Sequence, residues 1–344
     1  MNPAQQFLAL PAERRALAFA QAATQRGVDA VILEKDFWVC WVLGVLFVEP
    51  DVGPHLVFKG GTSLAKVFGA IDRFSEDVDL SVSPAFVGAD AEAFEALASR
   101  RQRDAAIAEM QRLCSVKVQE MIAPRLEAAI REALGSPVSG GAWLTFELDA
   151  QAHSPNLYFN YPAQQTTGLS YIRRNVKLEL GSLTDQQPVG RHAVRPWVAE
   201  EFPSLFADWR CEVIALDLPR TFWEKATILH AEYHRPKDQP IPDRYARHYA
   251  DTARLLDHPA AATFLADKAL CIRIADWKSR VFARAGARYD SARHGTFRLA
   301  PPAHRWEALA GDYAVMKPMF LREPPPFDQV MQQLATAEQT INSM

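Results

Sequence analysis

The chain has 344 residues, enough for one large domain or two unequal ones. Hydrophobic residues make up 49% and charged residues 23%, a globular balance that argues against disorder, and a formal net charge of −3 excludes a globally basic nucleic-acid binder. Cys40, Cys114, Cys211 and Cys271 stand far apart with no CxxC pair, so neither a zinc site nor a disulfide framework is expected and a reducing cytoplasm fits.

The start, "MNPAQQFLALPAERR", lacks the basic flank and apolar block of a signal peptide. Residues 11–48 predict two helices, the second apolar around much of its circumference at Val31, Phe37, Trp38, Trp41 and Leu46. Its apolar run, 37–48, is bounded by Lys35-Asp36 and Glu49 and falls short of the ~20 residues that span a bilayer. It predicts a buried helix in a protein with no membrane anchor. "HLVF" (55–58) predicts a strand, "TSLAKVFGAI" a helix and "VDLSV" a second strand. Helical periodicity runs over 89–134 and ends at the Gly-Ser-Pro cluster of 135–141. "WLTFELDA", "NLYFNYP" and "SYIRRNVKLELGS" then alternate as strands of a mixed sheet, and from Pro219 the pattern stays mostly helical. The expected architecture is α+β: a mixed sheet flanked by helices over 1–210, then a mostly helical domain over 211–344.

The stretch that carries chemistry is "FKGGTSLAKVFGAIDRFSEDVDLSV", from Phe58 to Val82. A strand that ends in Gly60-Gly61 and opens a helix at Thr62-Ser63 turns backbone N–H groups outward, where they attract anions. No Gly-Lys-Ser/Thr follows, so this is not a Walker loop. An esterase elbow is disfavoured because Ala65 stands where G-x-S-x-G needs its second glycine. Asp77 and Asp79 share one face of a strand, with Cα atoms ~6–7 Å apart. At an effective dielectric near 20, two such charges repel by roughly 2–3 kcal/mol. A divalent cation relieves that repulsion; solvation at an edge strand relieves it equally well.

"KGGTSLAKVFGAIDRFSEDVDLSV" resembles the first motif of the AbiEii/AbiGii-type nucleotidyltransferase toxins, within the DNA polymerase beta-like nucleotidyltransferase superfamily. The resemblance continues through "EKDFWVCWVL", "VKLELG", "LPRTFWEKATILH", "RHYADTARLL" and "GTFRLAPPAHRWEALAGDYAVM", spanning most of residues 30–320. It implies the nucleotidyltransferase type of mixed sheet, with Mg²⁺ or Mn²⁺ held by Asp77 and Asp79. It also implies an NTP placed at Lys59, Gly60, Gly61, Thr62 and Ser63.

In "RRNVKLELG", alternation leaves Lys177 and Glu179 on the face opposite Val176, Leu178 and Leu180. The resemblance makes Glu179 the third metal acid and assistant base, with Lys177 near the nucleotide; the alternative is a solvated Lys177–Glu179 surface pair. Thr221 and Glu224 spell a T-x-x-E capping box after Pro219. Lys225, the lysine of the family's "WEK", is implied to meet the triphosphate, and the alternative is an exposed helix lysine. Asp251 either lines the site or pairs with Arg247, four residues back; "RHYADT" departs from the family's usual spelling at Ala250 and Thr252. His230 and His234 stand one helical turn apart and suit a helix C-terminus, where partial positive charge is favourable.

Arg280, Arg284 and Arg288 recur every four residues, which predicts one cationic helix face, with Trp277, Phe282, Tyr289 and Phe297 interleaved for base stacking. The alternatives are a solvated helix with inward aromatics and a dock for an acidic antitoxin. The resemblance implies transfer of a nucleoside monophosphate to an RNA 3′ end, with that of tRNA among the candidates, by a toxin paired with an antitoxin. A catalytically silent RNA- or partner-binding protein and a small-molecule (antibiotic-type) nucleotidyltransferase stay open.

Overall fold

The structure, a computed structural model, describes residues 3–137, 140–165, 172–207, 209–284 and 286–344. The chain forms two compact units. The first comprises Met1–Val67, Glu76–Ala96 and Ala105–Ala215, and the second Phe68–Ser75, Leu97–Asp104 and Leu216–Met344.

The first unit is built on a seven-stranded sheet: β1 (Leu56–Lys59), β2 (Val78–Val82), β3 (Leu144–Leu148), β4 (Pro155–Phe159), β5 (Val176–Gly181), β6 (Val189–Ala193) and β7 (Glu212–Leu216). Their order is β3-β4-β5-β2-β1-β7-β6. β2 runs antiparallel to β1 and parallel to β5, and β7 lies parallel to β1. This is the mixed sheet that alternation predicts, although β6 and β7 are additional strands. Ser170 and Tyr171, which open the third expected run, and Val138 and Ser139 of the expected turn cluster lie outside the described residues.

Period-two alternation gives the sheet one apolar face. Phe58, Leu80 and Leu180 stand in one row across β1, β2 and β5, and Val78, Leu178 and Leu157 in the next across β2, β5 and β4, all buried. Helices α1 (Pro3–Leu8), α2 (Ala12–Arg26) and α3 (Ala30–Val48) precede β1. α3 supplies Trp38 and Trp41, whose rings stand 5.5 Å and 5.6 Å from that of Phe159. Asp29 caps α3 by accepting the Val31 amide at 2.9 Å. Lys35 and Asp36, which flank its apolar run, lie inside the helix and are buried.

α4 (Gly60–Lys66) follows β1 directly and ends before Val67, shorter than the predicted helix. After β2 come α5 (Pro84–Val87), α6 (Ala91–Glu95), α7 (Arg100–Lys117), a π-turn (Val118–Ile122) and α8 (Ala123–Leu134); α9 (Trp197–Glu201) falls between β6 and β7. The second unit holds α10 (Leu218–Tyr233), α11 (Ala246–Leu256), α12 (Ala261–Ala266), α13 (Lys268–Val281), α14 (Trp306–Val315) and α15 (Phe327–Ser343). Within it the 68–75 segment is fastened by Phe74 N–H donating to the Met319 carbonyl at 2.8 Å and by Leu321 N–H donating to that of Asp72 at 2.9 Å. Among the described residues no helix is long and apolar enough to cross a membrane.

Candidate active site

The polar face of the sheet carries the candidate site. Register sets Lys59 of β1, Asp79 of β2, Glu179 of β5 and Asn156 of β4 side by side, and Asp77 immediately precedes β2. Of the three acids predicted from sequence, Asp79 and Glu179 therefore occupy two neighbouring parallel strands, and Asp77 sits just ahead of the first, outside the strand that the sequence predicts for it. The Asp77 carboxyl is pushed up to about 6, first by burial and then by the charges of Glu179, Glu76 and Asp79, with Lys177 acting the other way. Desolvation of the carboxylate, with mutual repulsion added to it, is the physical cause.

Two lysines answer these charges. Lys59 Nζ stands 3.9 Å from Asp79 Oδ1, and Lys177 Nζ donates to Glu179 Oε1. Burial works against the Lys177 charge, yet the hydrogen bond to Glu179 and the nearby Asp77 leave its pKa raised. Lys177 and Glu179 thus pair with each other while Glu179 stands opposite Asp79 in the register.

The glycine turn is shaped around Asp79. Gly60 has φ +78°, and a Cβ there would lie 2.0 Å from Asp79 Oδ2. Thr62 and Ser63 are buried, and their hydroxyls bind the protein itself: Thr62 Oγ1 donates to the Asp77 carbonyl at 2.5 Å, and Ser63 Oγ to that of Gly60 at 3.1 Å. The first of those bonds ties the start of α4 to the acid-bearing segment, and the second lies within α4 itself. What Thr62 and Ser63 can offer a phosphate is backbone N–H.

The donor set fits a hard divalent cation: the oxygens are carboxylates, they crowd one another, and the missing Cβ at Gly60 leaves space for that of Asp79. Among the described residues no three Asp, Glu, His or Cys side chains already stand together as a metal-holding group.

Lys225 and Asp251 belong to the second unit and meet there. Asp251 receives Arg73 Nε at 2.8 Å and Nη2 at 2.7 Å, and Lys225 Nζ at 2.8 Å, all buried. Arg247, the partner weighed from sequence, directs Nη1 to the Arg244 carbonyl at 3.0 Å. Burial opposes the charge of Asp251, but Arg73 and Lys225 hold it well below the usual carboxylate range; burial also lowers Lys225, partly offset by Asp251. Lys225 is therefore not an exposed helix lysine.

Three other expectations are corrected. α10 begins at Leu218, so Thr221 lies inside it and donates its amide to the Asp217 carbonyl at 2.9 Å, and no T-x-x-E box forms. Glu224 binds Arg220 at 2.8 Å and Lys278 at 2.9 Å instead. His230 is buried: its Nδ1 accepts the Arg298 amide at 3.1 Å and its Nε2 faces the Arg288 carbonyl at 3.0 Å. Burial pushes it down to about 4, so it is a neutral packing group and not a cation at a helix end. The arginine tract does not form one helix face, because α13 stops at Val281 and Arg288 takes the left-handed conformation at φ +46°. Trp277, Tyr289 and Phe297 are buried, which removes most of the expected stacking surface.

Sequence reasoning gave no role to Arg73, Asn156 or the triplet Glu34-Lys35-Asp36. The triplet had a readable signal: three consecutive charges within a helix that is apolar on all sides have no solvent face to occupy.

The fold and the acid-bearing face define a nucleotidyltransferase-type protein. The structure is similar to MenT4, a nucleotidyltransferase toxin from Mycobacterium tuberculosis H37Rv, with a TM-score of 0.50 and 14% sequence identity over 95% of this chain and 90% of that one. No curated protein sequence matches the chain significantly. Residues 41–333 match the family described as nucleotidyl transferase AbiEii toxin of type IV toxin-antitoxin systems, and the chain belongs to that family. It is thus a nucleotidyltransferase toxin whose system includes an antitoxin.

Proposed function

We propose that the protein transfers a nucleoside monophosphate from an NTP to the 3′-hydroxyl of an RNA, tRNA being the first acceptor to test, with Mg²⁺ or Mn²⁺ held by Asp77, Asp79 and Glu179. The acceptor oxygen forms a bond to the α-phosphorus, the bond to pyrophosphate breaks, and the hydroxyl proton passes to a carboxylate of the cluster, for which Glu179 is the choice. When bound, the cation offsets charge on the phosphates. Asp79 is oriented against Gly60, the α4 amides face the phosphates, and Lys59 and Lys177 add positive charge beside them. The carrying observation is the shared row of Asp79 and Glu179 on parallel strands, with Asp77 pushed up to about 6 beside them. Arg284 and Arg288 are exposed cations suited to RNA phosphates, and Lys225 and Asp251 are proposed to contribute to activity by family resemblance.

The test is incubation of the purified protein with α-labelled NTPs, Mg²⁺ and total RNA. Label in RNA that disappears with Asp79→Asn supports the reading. Label only in small molecules assigns an antibiotic-type transferase, and no label at all supports a non-catalytic binder.

A further inference from the structure

Glu34, Lys35 and Asp36 are buried in α3, and the transfer reading uses none of them. Buried charges are retained at a cost unless well paired, so their partners are informative. Glu34 accepts the amides of Gln164 at 2.7 Å and Gln165 at 3.0 Å. Lys35 Nζ donates to Glu76 Oε2 at 2.7 Å and to the Arg173 carbonyl at 3.1 Å, and the Arg173 amide donates to the same Glu76 oxygen at 3.4 Å. Asp36 pairs with Lys66 Nζ at 2.6 Å and accepts the Trp197 amide at 2.6 Å.

These contacts converge on the parts that carry the site. Glu76 immediately precedes Asp77, and Arg173 leads into β5, which bears Glu179. Because β2 and β5 run parallel, their leading ends lie side by side, and one ammonium ties both. Lys66 is the last residue of α4, whose first is Gly60. Two adjacent residues of one buried helix thus hold both acid-bearing strands and the far end of the glycine helix.

We propose that Lys35 and Asp36 are positioning residues for nucleotidyl transfer, fixing the segment of Asp77 and Asp79, the strand of Glu179 and the helix of Gly60 in one arrangement. Its catalytic part rests on the transfer reading; its mechanical part rests on the ion pairs alone.

The test uses the full chain with the double variant Lys35→Met/Glu76→Gln, which removes both charges of the pair and strands neither, and with Lys35→Arg. Hydrogen exchange of amides 77–79 and 176–179 should quicken about tenfold in the double variant, while those of α11 stay unchanged. RNA-labelling kcat should fall roughly 10- to 100-fold with KM for NTP nearly constant, and Lys35→Arg should keep most of the activity. A folded double variant with wild-type exchange at both segments overturns the clamp, and quickened exchange with unchanged kcat overturns the positioning role. Should the wild-type protein label nothing, the transfer reading fails, and exchange still decides the clamp.

Discussion

Asp77 is the residue at which the electrostatics of the site are most exposed to measurement. Its folded pKa of about 6 lies above the ordinary carboxylate value, so between roughly pH 4 and 6 the folded state binds the proton and the unfolded state does not. Stability from this group therefore falls as pH rises through that window, by roughly 2–3 kcal/mol. In metal-free buffer, Asp77→Asn is expected to stabilise the protein at pH 7.5 and to lose that advantage at pH 4.5; urea unfolding at the two values checks it. His230 has the opposite sign. Its folded pKa of about 4 is depressed by burial, so its contribution is present above the unfolded value near 6.5 and is lost as pH falls toward 4. His230→Gln should flatten the loss of stability between pH 6.5 and 4, provided the glutamine keeps the bond to the Arg298 amide.

At the scale of elements, the β1–α4 turn is the most constrained piece. Gly60→Ala combines a left-handed conformation, costing about 1–2 kcal/mol, with a Cβ in the place of the Asp79 carboxylate. It should lower Tm and reduce transfer at least as much as it lowers stability, whereas Gly181→Ala, with nothing within 4 Å of its Cβ, should do neither. Thermal melts beside the labelling assay check both. This turn was legible in the sequence because a double glycine follows an apolar strand and precedes a helix; the glycines alone left phosphate handling, an esterase elbow and packing in competition. Val176, Leu178 and Leu180 were legible because they keep strict alternation over a buried face. β6 was not, since "VGRHA" lies at a half-exposed sheet edge and has no apolar stripe to read. β7 was hidden because "EVIAL" runs almost directly into α10 without a turn signal. The capping box misled because Leu218 and Pro219 had already started the helix. The arginine spacing misled because a period of four means one face only while the helix lasts, and α13 ends before Arg284.

For the whole molecule, a net charge of −3 means that any RNA contact must be local, and the acid cluster adds negative charge where a triphosphate must approach. A cation and a nucleotide should therefore bind together better than either alone. Binding to the folded state stabilises it by about 2.7 kcal/mol at ligand concentrations roughly 100 times Kd. Mn²⁺ with a non-hydrolysable NTP analogue should raise Tm by several degrees, and EDTA should reverse the rise. The most direct measurement is anomalous diffraction from crystals soaked with Mn²⁺ and that analogue. The expected result is a manganese peak bonded to oxygens of Asp77 and Asp79, with Glu179 turned from Lys177 toward it. Nucleotide density with its manganese held away from these carboxylates would contradict the account.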